Sequence, residues 1–291
     1  MKTAAIIPAF NEEVAIGSVV LLSREHVDEV LVVDDGSTDR TASVAEMAGA
    51  RVLRHHKNLG KGAALKTGFQ ATDADVIVTL DADGQHDPAE IPKLMEPIIR
   101  GEADIVNGSR YLHGTDENTP RYRRVGQKIL DTATNISTGL EITDTQSGFR
   151  AFSSKTIPHF RFRDPGFVVE SEMLADAAEA GLRIMEVEVG VRYDVDGSTR
   201  NPVSHGVSVL LRILGDIEVR RPLYYFTLPG LIIGITGAAL TLMFIRDYIT
   251  GVSVNMGPTI VAVMLTLFGT FFIFTGIILD SMRRMIIHYG R

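Results

Sequence analysis

Two uncharged apolar runs near the end of the chain constrain its architecture more than any other feature. Leu223–Ile245 spans 23 residues and Pro258–Leu279 spans 22, neither with a charged side chain. About 20 such residues let a helix cross a hydrocarbon core of roughly 30 Å. A buried hairpin in a soluble domain is the competing way to hide them, but such domains rarely carry two uncharged runs of this length. Arg220 and Arg221 precede the first run, and Arg283, Arg284 and Arg291 follow the second. The connecting segment holds only Arg246, beside Asp247. By the positive-inside rule, both flanks face the cytoplasm and the short loop lies outside. The expectation is a multi-pass protein of the cell membrane, with its N-terminal domain and both termini cytoplasmic.

The remainder of the 291 residues is enough for one sizeable globular domain. The net charge of −7 argues against a nucleic-acid partner, which would call for a basic surface. Any phosphate site must therefore be a local basic patch. The absence of cysteine excludes disulfides and thiol catalysis. Met1–Pro8 lacks the long apolar core and cleavage region of a signal peptide, and Asn11-Glu12-Glu13 follows at once.

Up to about residue 200, β-rich runs alternate with helical ones. Strands are expected at 3–8, 29–34, 51–54, 75–80, 105–109 and 183–193. Helices are expected at 12–23, 41–48, 61–72, 88–99, 121–138 and 170–180. This alternation implies right-handed crossovers and an α/β fold with a mainly parallel sheet, whose ligands bind beyond the carboxyl ends of the strands. Residues 203–221 carry Val203, Val207, Leu210, Leu214 and Ile217 at helical spacing. Just before a membrane span, this pattern suggests an interfacial helix; an ordinary helix packed on the domain is the plainer reading. The expected division is a domain at 1–202, an amphipathic helix at 203–221, and the hairpin at 222–291.

The chemistry gathers at the strand ends. Asp81-Ala82-Asp83 follows an apolar strand, and two carboxylates at i and i+2 of an extended chain would share one side. Hard oxygen ligands suit Mg²⁺ or Mn²⁺, which would bridge a diphosphate; Gln85 or His86 could add a ligand. Pro8-Ala9-Phe10-Asn11-Glu12 and Asp34-Asp35-Gly36-Ser37-Thr38-Asp39 form two further strand-to-helix loops. Their carboxylates can accept bonds from a base or ribose and Phe10 can cover the base, while Asp39 reads mainly as a helix cap. Asn58-Leu59-Gly60-Lys61-Gly62 opens a helix with glycines and a cation, without the Walker spacing. Arg121, Arg124 and Lys128 share one helical face, with Arg123 beside them and Arg110 upstream. Like charges so placed repel, so the cluster suggests a bound anion or an acidic lipid surface.

Together these segments, with Gly108-Ser109-Arg110-Tyr111 and Ser147-Gly148-Phe149-Arg150, resemble glycosyltransferase family 2, and within it the dolichyl-phosphate mannose and glucose synthase group. The resemblance implies a GT-A domain and inverting transfer of a sugar from a nucleotide-sugar to a polyprenyl phosphate. It would place the metal on Asp81, Asp83 and Gln85. Pro8, Ala9, Phe10, Glu12, Asp35 and Lys61 would line the donor site together with Asp81. Arg110, Arg123 and Arg124 would hold the acceptor phosphate and, with Asp83, carry the reaction. The two spans look most like those of two-span members, including archaeal enzymes that charge dolichyl phosphate for protein glycosylation. Mannose synthases usually carry a larger apolar residue at the position of Gly84, so UDP-glucose or UDP-N-acetylglucosamine is expected ahead of GDP-mannose. Glu170 and Glu172 are expected to face solvent or cap a helix, with a late helper role in the reaction as the alternative for one of them. A transferase with another acceptor and a non-catalytic nucleotide-sugar sensor are the alternatives. Gly230, Gly234 and Gly237 leave homo-oligomer formation open.

Overall fold

The computed structural model describes residues 1–112, 121–162, 169–190, 223–253 and 255–289, with the side chains of 121–126, 224 and 283–289 excepted. The expected interfacial helix at 203–221 lies outside these residues. The chain divides into two compact units, Met1–Leu210 and Leu211–Arg291.

The first unit is a seven-stranded sheet in the order β3-β2-β1-β4-β6-β5-β7. Its strands are β1 (Thr3–Ala9), β2 (Glu29–Asp34), β3 (Arg51–Arg54), β4 (Val76–Thr79), β5 (Ile105–Ser109), β6 (Arg150–Ser153) and β7 (Ile184–Glu188). The helices are α1 (Ile16–Ser23), α2 (Thr41–Met47), α3 (Lys61–Ala71), α4 (Ile91–Ile99), α5 (Arg121–Thr138) and α6 (Val169–Glu179). Successive β1 residues feed two cores: Ala5 and Ile7 join one with α1 and α4, while Ala4 and Ile6 join the other with α3 and α6. Burial on both faces is why β1 reads as a continuous apolar run rather than an alternating one.

One strand escaped the sequence pattern. β6 runs antiparallel between β4 and β5, and its four residues, Arg-Ala-Phe-Ser, are too few and too mixed to show a period. Its direction has a consequence for the site. Thr79 pairs with Arg150, so the loop leading into β6 arrives at the carboxyl end of β4. The last strand is also shorter than the 183–193 expected.

In the second unit, α7 (Leu228–Ile249) and α8 (Met256–Tyr289) pack against each other after a single π turn at Leu223–Thr227. That turn ends where Pro229 removes a backbone donor from the helical ladder. Both helices are long and apolar enough to cross a membrane, at Tyr225–Ile249 and Met256–Met282. Ile232, Ile235, Leu242, Leu267, Phe271 and Phe274 are all exposed, the opposite of a soluble core hairpin. With 34 residues, α8 is about 51 Å long, so it outruns the hydrocarbon thickness and continues past the span end expected at Leu279.

The glycines of the first span serve contacts within this hairpin. A Cβ on Gly230 would lie 2.9 Å from the Gly269 carbonyl, and one on Gly237 would lie 2.5 Å from the Thr266 nitrogen. A Cβ on Gly269 would collide with the Gly234 backbone. Small residues let the helix backbones touch where no apolar driving force operates between them. Gly269→Val is expected to destabilise the protein by about 1–3 kcal/mol through overpacking. Gly257→Val, which meets nothing within 4 Å, supplies the control. Thermal unfolding in detergent checks this, and equal melting temperatures for the two variants would remove the packing argument.

Candidate active site

The carboxyl edge of the sheet gathers the ends of β1, β2, β4 and β5, together with the loop into β6. The first two ends are stitched to each other. Ala9 is buried at the end of β1, and its carbonyl accepts from the Asp35 nitrogen at 2.8 Å. Asn11 adopts φ 55, a left-handed conformation that Asn tolerates. Its nitrogen donates to Ser37 Oγ at 2.9 Å, and its Oδ1 accepts from the Thr38 nitrogen at 2.9 Å. The backbone of Glu12 donates to Thr41 Oγ1 at 2.8 Å, and Asp39 Oδ1 accepts from the Thr41 nitrogen at 2.9 Å at the start of α2. Asp39 thus orders the turn just ahead of α2, whose N-cap position is Arg40, without a side-chain cap bond, rather than the Asp39 expected. Pro8 and Phe10 remain partly exposed on the edge.

Asp34 and Asp35 have separate roles. Asp34 is fully buried, accepting from the Ser37 nitrogen at 3.0 Å and from Arg54 Nε at 3.0 Å, so it braces the sheet. Asp35 uses both carboxylate oxygens on the loop that opens α3. The Leu59 nitrogen donates to Oδ1 at 2.9 Å and the Gly60 nitrogen to Oδ2 at 2.7 Å. His55 adds a bond to Oδ1 at 2.7 Å and is held in turn by Thr67 at 3.0 Å. Gly60, at φ 97, makes the turn that aims Lys61 inward.

Lys61 is the central cation of the described site. Its ammonium lies 2.5 Å from Asp81 Oδ1 and 2.7 Å from Glu170 Oε1. Glu170 and Glu172 are buried at the start of α6, which corrects the expectation that they face solvent. Gly148 explains itself here: a Cβ would stand 2.7 Å from both Asp81 oxygens and 2.8 Å from Lys61 Nζ. Its carbonyl accepts from Thr79 Oγ1 at 2.9 Å, fixing the β6 loop over β4.

Asp81 and Asp83 share the site through a turn, not the extended segment expected. Burial alone would raise Asp81, but the Lys61 ammonium reverses that and holds its carboxyl below the usual range. Burial and then the charge on Asp81 raise Asp83. Glu12 is pushed up to about 7, by burial first and then by Asp83, Asp81 and Asp39. Asp83 and Glu12 thus sit in an excess of negative charge despite Lys61, which a hard divalent cation would offset. Among the described residues no three His, Asp or Glu side chains converge on one point. Asp81 and Asp83 would therefore supply a minority of its ligands, as at Mg²⁺ sites completed by phosphate and water. The Gln85 nitrogen donates to Asp83 Oδ1 at 3.0 Å, closing the turn. His86 is buried against Phe149, with ring centroids 5.1 Å apart and Nδ1 without a hydrogen-bond partner among the described residues. Burial lowers it to about 4, so it stays neutral.

Arg110, at the end of β5, grips Asp144 with two bonds, Nε to Oδ2 at 2.6 Å and Nη2 to Oδ1 at 2.8 Å. Arg121, Arg123 and Arg124 lie in the first turn of α5, their side chains outside the described residues. Arg150 closes the Ser147-Gly148-Phe149-Arg150 segment and opens β6. It is fully buried, donating to the carbonyls of Glu170 and Thr145, each at 2.8 Å. Lys61 thus pairs directly with Asp81, and the charge of Arg110 also acts on it. His55 escaped the sequence reading, as did the contacts made by Glu170, Gly148 and Asp144, because they depend on partners 12 to 109 residues away.

Residues 4–159, more than half of the chain, match the sequence model described as glycosyl transferase family 2. The chain belongs to that family. A UDP-N-acetylglucosamine–dolichyl-phosphate N-acetylglucosaminyltransferase of Methanococcus voltae is 33% identical over 230 residues, covering 71% of this chain and 90% of its own length. Glycosyltransferase AglJ of Haloferax volcanii is 29% identical over 277 residues, covering 94% and 91%. A crystal structure of glucosyl-3-phosphoglycerate synthase from Mycobacterium tuberculosis, with Mn²⁺, UDP-glucose and phosphoglyceric acid, superposes with a TM-score of 0.61 at 28% identity, covering 75% of this chain and 79% of that one. The family 2 domain thus has the GT-A sheet expected from its sequence.

Two outcomes follow from the charges. Lys61→Met leaves Asp81 and Glu170 facing each other without compensation and should cost about 3 kcal/mol, the low end for a broken buried pair because Asp81 is partly exposed. Adding Glu170→Gln should recover part of that loss in denaturant unfolding. Separately, Glu12 keeps its proton in the folded state up to about pH 7, whereas its ordinary value is 4.5. The unfolded chain therefore binds fewer protons between these values, and stability falls as pH rises through that window. Glu12→Gln should flatten this fall in a melting profile against pH, and an unchanged slope would contradict the assignment.

Proposed function

We propose that this family 2 glycosyltransferase moves one sugar from a nucleotide-sugar to a polyprenyl phosphate of dolichyl type, with inversion, at the cytoplasmic face of a membrane. The observation that carries the reading is the pairing of a family 2 site with two uncovered membrane-length helices in one chain. A lipid-linked acceptor gives both parts a use. The relative from Methanococcus voltae is named for the same class of acceptor. Arginines flanking the hairpin favour cytoplasmic ends.

In this reading Pro8, Ala9, Phe10, Glu12 and Asp35 border the nucleotide, and Lys61 balances Asp81 beside its diphosphate. Asp81, Asp83 and Gln85 would hold a divalent metal, Mg²⁺ or Mn²⁺, which would supply Lewis-acid stabilisation of the departing diphosphate. Arg110, with Arg123 and Arg124, holds the acceptor phosphate. That phosphate is already an anion at neutral pH, so the protein's task is to position it rather than to remove a proton. Gly84 sits at φ 73, a backbone conformation that by itself calls for glycine. Gly84 therefore gives no support to UDP-glucose or UDP-N-acetylglucosamine over GDP-mannose, and the relatives are named for transfer of either N-acetylglucosamine or mannose.

Purified protein in detergent, offered each of these donors with dolichyl or undecaprenyl phosphate, should form a glycolipid from one donor. The activity should vanish with EDTA and fall at least about 100-fold in Asp83→Ala, as expected when charge stabilisation is removed from the transition state. Turnover only with a water-soluble phosphate such as phosphoglycerate would replace the lipid acceptor. Donor binding without product from any acceptor would favour a sensor.

A further inference from the structure

We propose that Asp144 is the positioning residue of the acceptor-phosphate site, held in register by a polar face of α5. The inference deepens the reading of Arg110 as a phosphate ligand and rests on it.

Asp144 is fully buried, and its carboxylate is saturated with donors. Oδ2 accepts from Arg110 Nε at 2.6 Å and from the Arg110 backbone nitrogen at 3.2 Å. Oδ1 accepts from Arg110 Nη2 at 2.8 Å and from Gln127 Nε2 at 3.1 Å. A carboxylate bound on both oxygens cannot turn, and a bidentate grip fixes the plane of the guanidinium it holds.

The other anchor is α5. Gln127, Asp131 and Asn135 are spaced i, i+4 and i+8, so they form one stripe of the helix. Each fastens the same loop. Asp131 Oδ1 accepts from the Thr145 nitrogen at 2.8 Å and from Thr145 Oγ1 at 2.7 Å. Asn135 brackets Ile142, accepting from its nitrogen at 3.0 Å and donating to its carbonyl at 2.8 Å. Position 123 lies one turn before Gln127 on this stripe. The stripe therefore sets where the basic first turn of α5 sits relative to Arg110.

Charge alone does not account for this arrangement. Asp144 offsets the charge of Arg110, and a site built only to attract an anion would leave it out. Orientation does account for it. A long Arg side chain loses much rotamer freedom when it is fixed, and Asp144 fixes Arg110 before the acceptor arrives.

The test uses the full chain in detergent. Asp144→Asn leaves a single acceptor oxygen and breaks the two-point grip. It should raise KM for the polyprenyl phosphate about tenfold, the effect of losing a charge-assisted bond, with KM for the nucleotide-sugar unchanged. Gln127→Ala, at a partly exposed position, should shift the acceptor KM the same way by about two- to fivefold. Asp144→Asn combined with Arg110→Lys should be no worse than the poorer single variant, because both act through one pair. Calorimetric binding of farnesyl phosphate gives a readout independent of turnover, and it should weaken in Asp144→Asn. Equal rises in donor and acceptor KM, or additive single effects, would overturn the positioning role. So would wild-type affinity for farnesyl phosphate in Asp144→Asn, which sinks this inference alone. A wild-type protein that binds no prenyl phosphate sinks the reading of Arg110 as well.

Discussion

The Lys61 ammonium between Asp81 and Glu170 is the contact on which the rest of the site depends. It joins the first residue of α3, the end of β4 and the start of α6, three segments remote in the chain. Without it, two carboxylates would face each other in a largely buried space, at a cost of several kcal/mol. With it, Asp81 is held in its ionised form. The glycine at 148 follows from the same contact, since nothing larger fits beside the ion pair. So does the use of Asp35 on the Leu59 and Gly60 nitrogens, which sets the loop that delivers Lys61.

The site is short of positive charge around Asp83 and Glu12, and generously bonded around Asp144. The two conditions suit two ligands. In the proposed reaction a diphosphate would arrive with its own cation, which would offset the excess negative charge around Asp83 and Glu12. A phosphate monoester brings only negative charge, so the protein must supply oriented donors in advance. Both conditions sit on one sheet edge because β6 runs backwards, placing the Asp144–Phe149 loop at the carboxyl end of β4.

Much of this was legible in the residues. The parallel strands announced themselves as apolar runs, the acidic turn by its position after Leu80, and α5 by its 18-residue pattern. The hairpin needed only the absence of charge over two long stretches. What stayed hidden was short or distant. β6 has four residues and no period. Glu170 and Glu172 look like ordinary charged helix starts until α6 is packed on the sheet. Arg150, beside a turn in the sequence, is fully enclosed.

The sequence by itself determined the element types, the family and the membrane-length helices, because these rest on local periodicity, composition and short motifs. The tertiary structure alone decided which charges neutralise one another. Lys61 and Glu170 are 109 positions apart, Arg110 and Asp144 are 34 apart, and Gly234 meets Gly269 across a hairpin. Ion pairs and close backbone contacts depend on distance in space, and no local pattern encodes it.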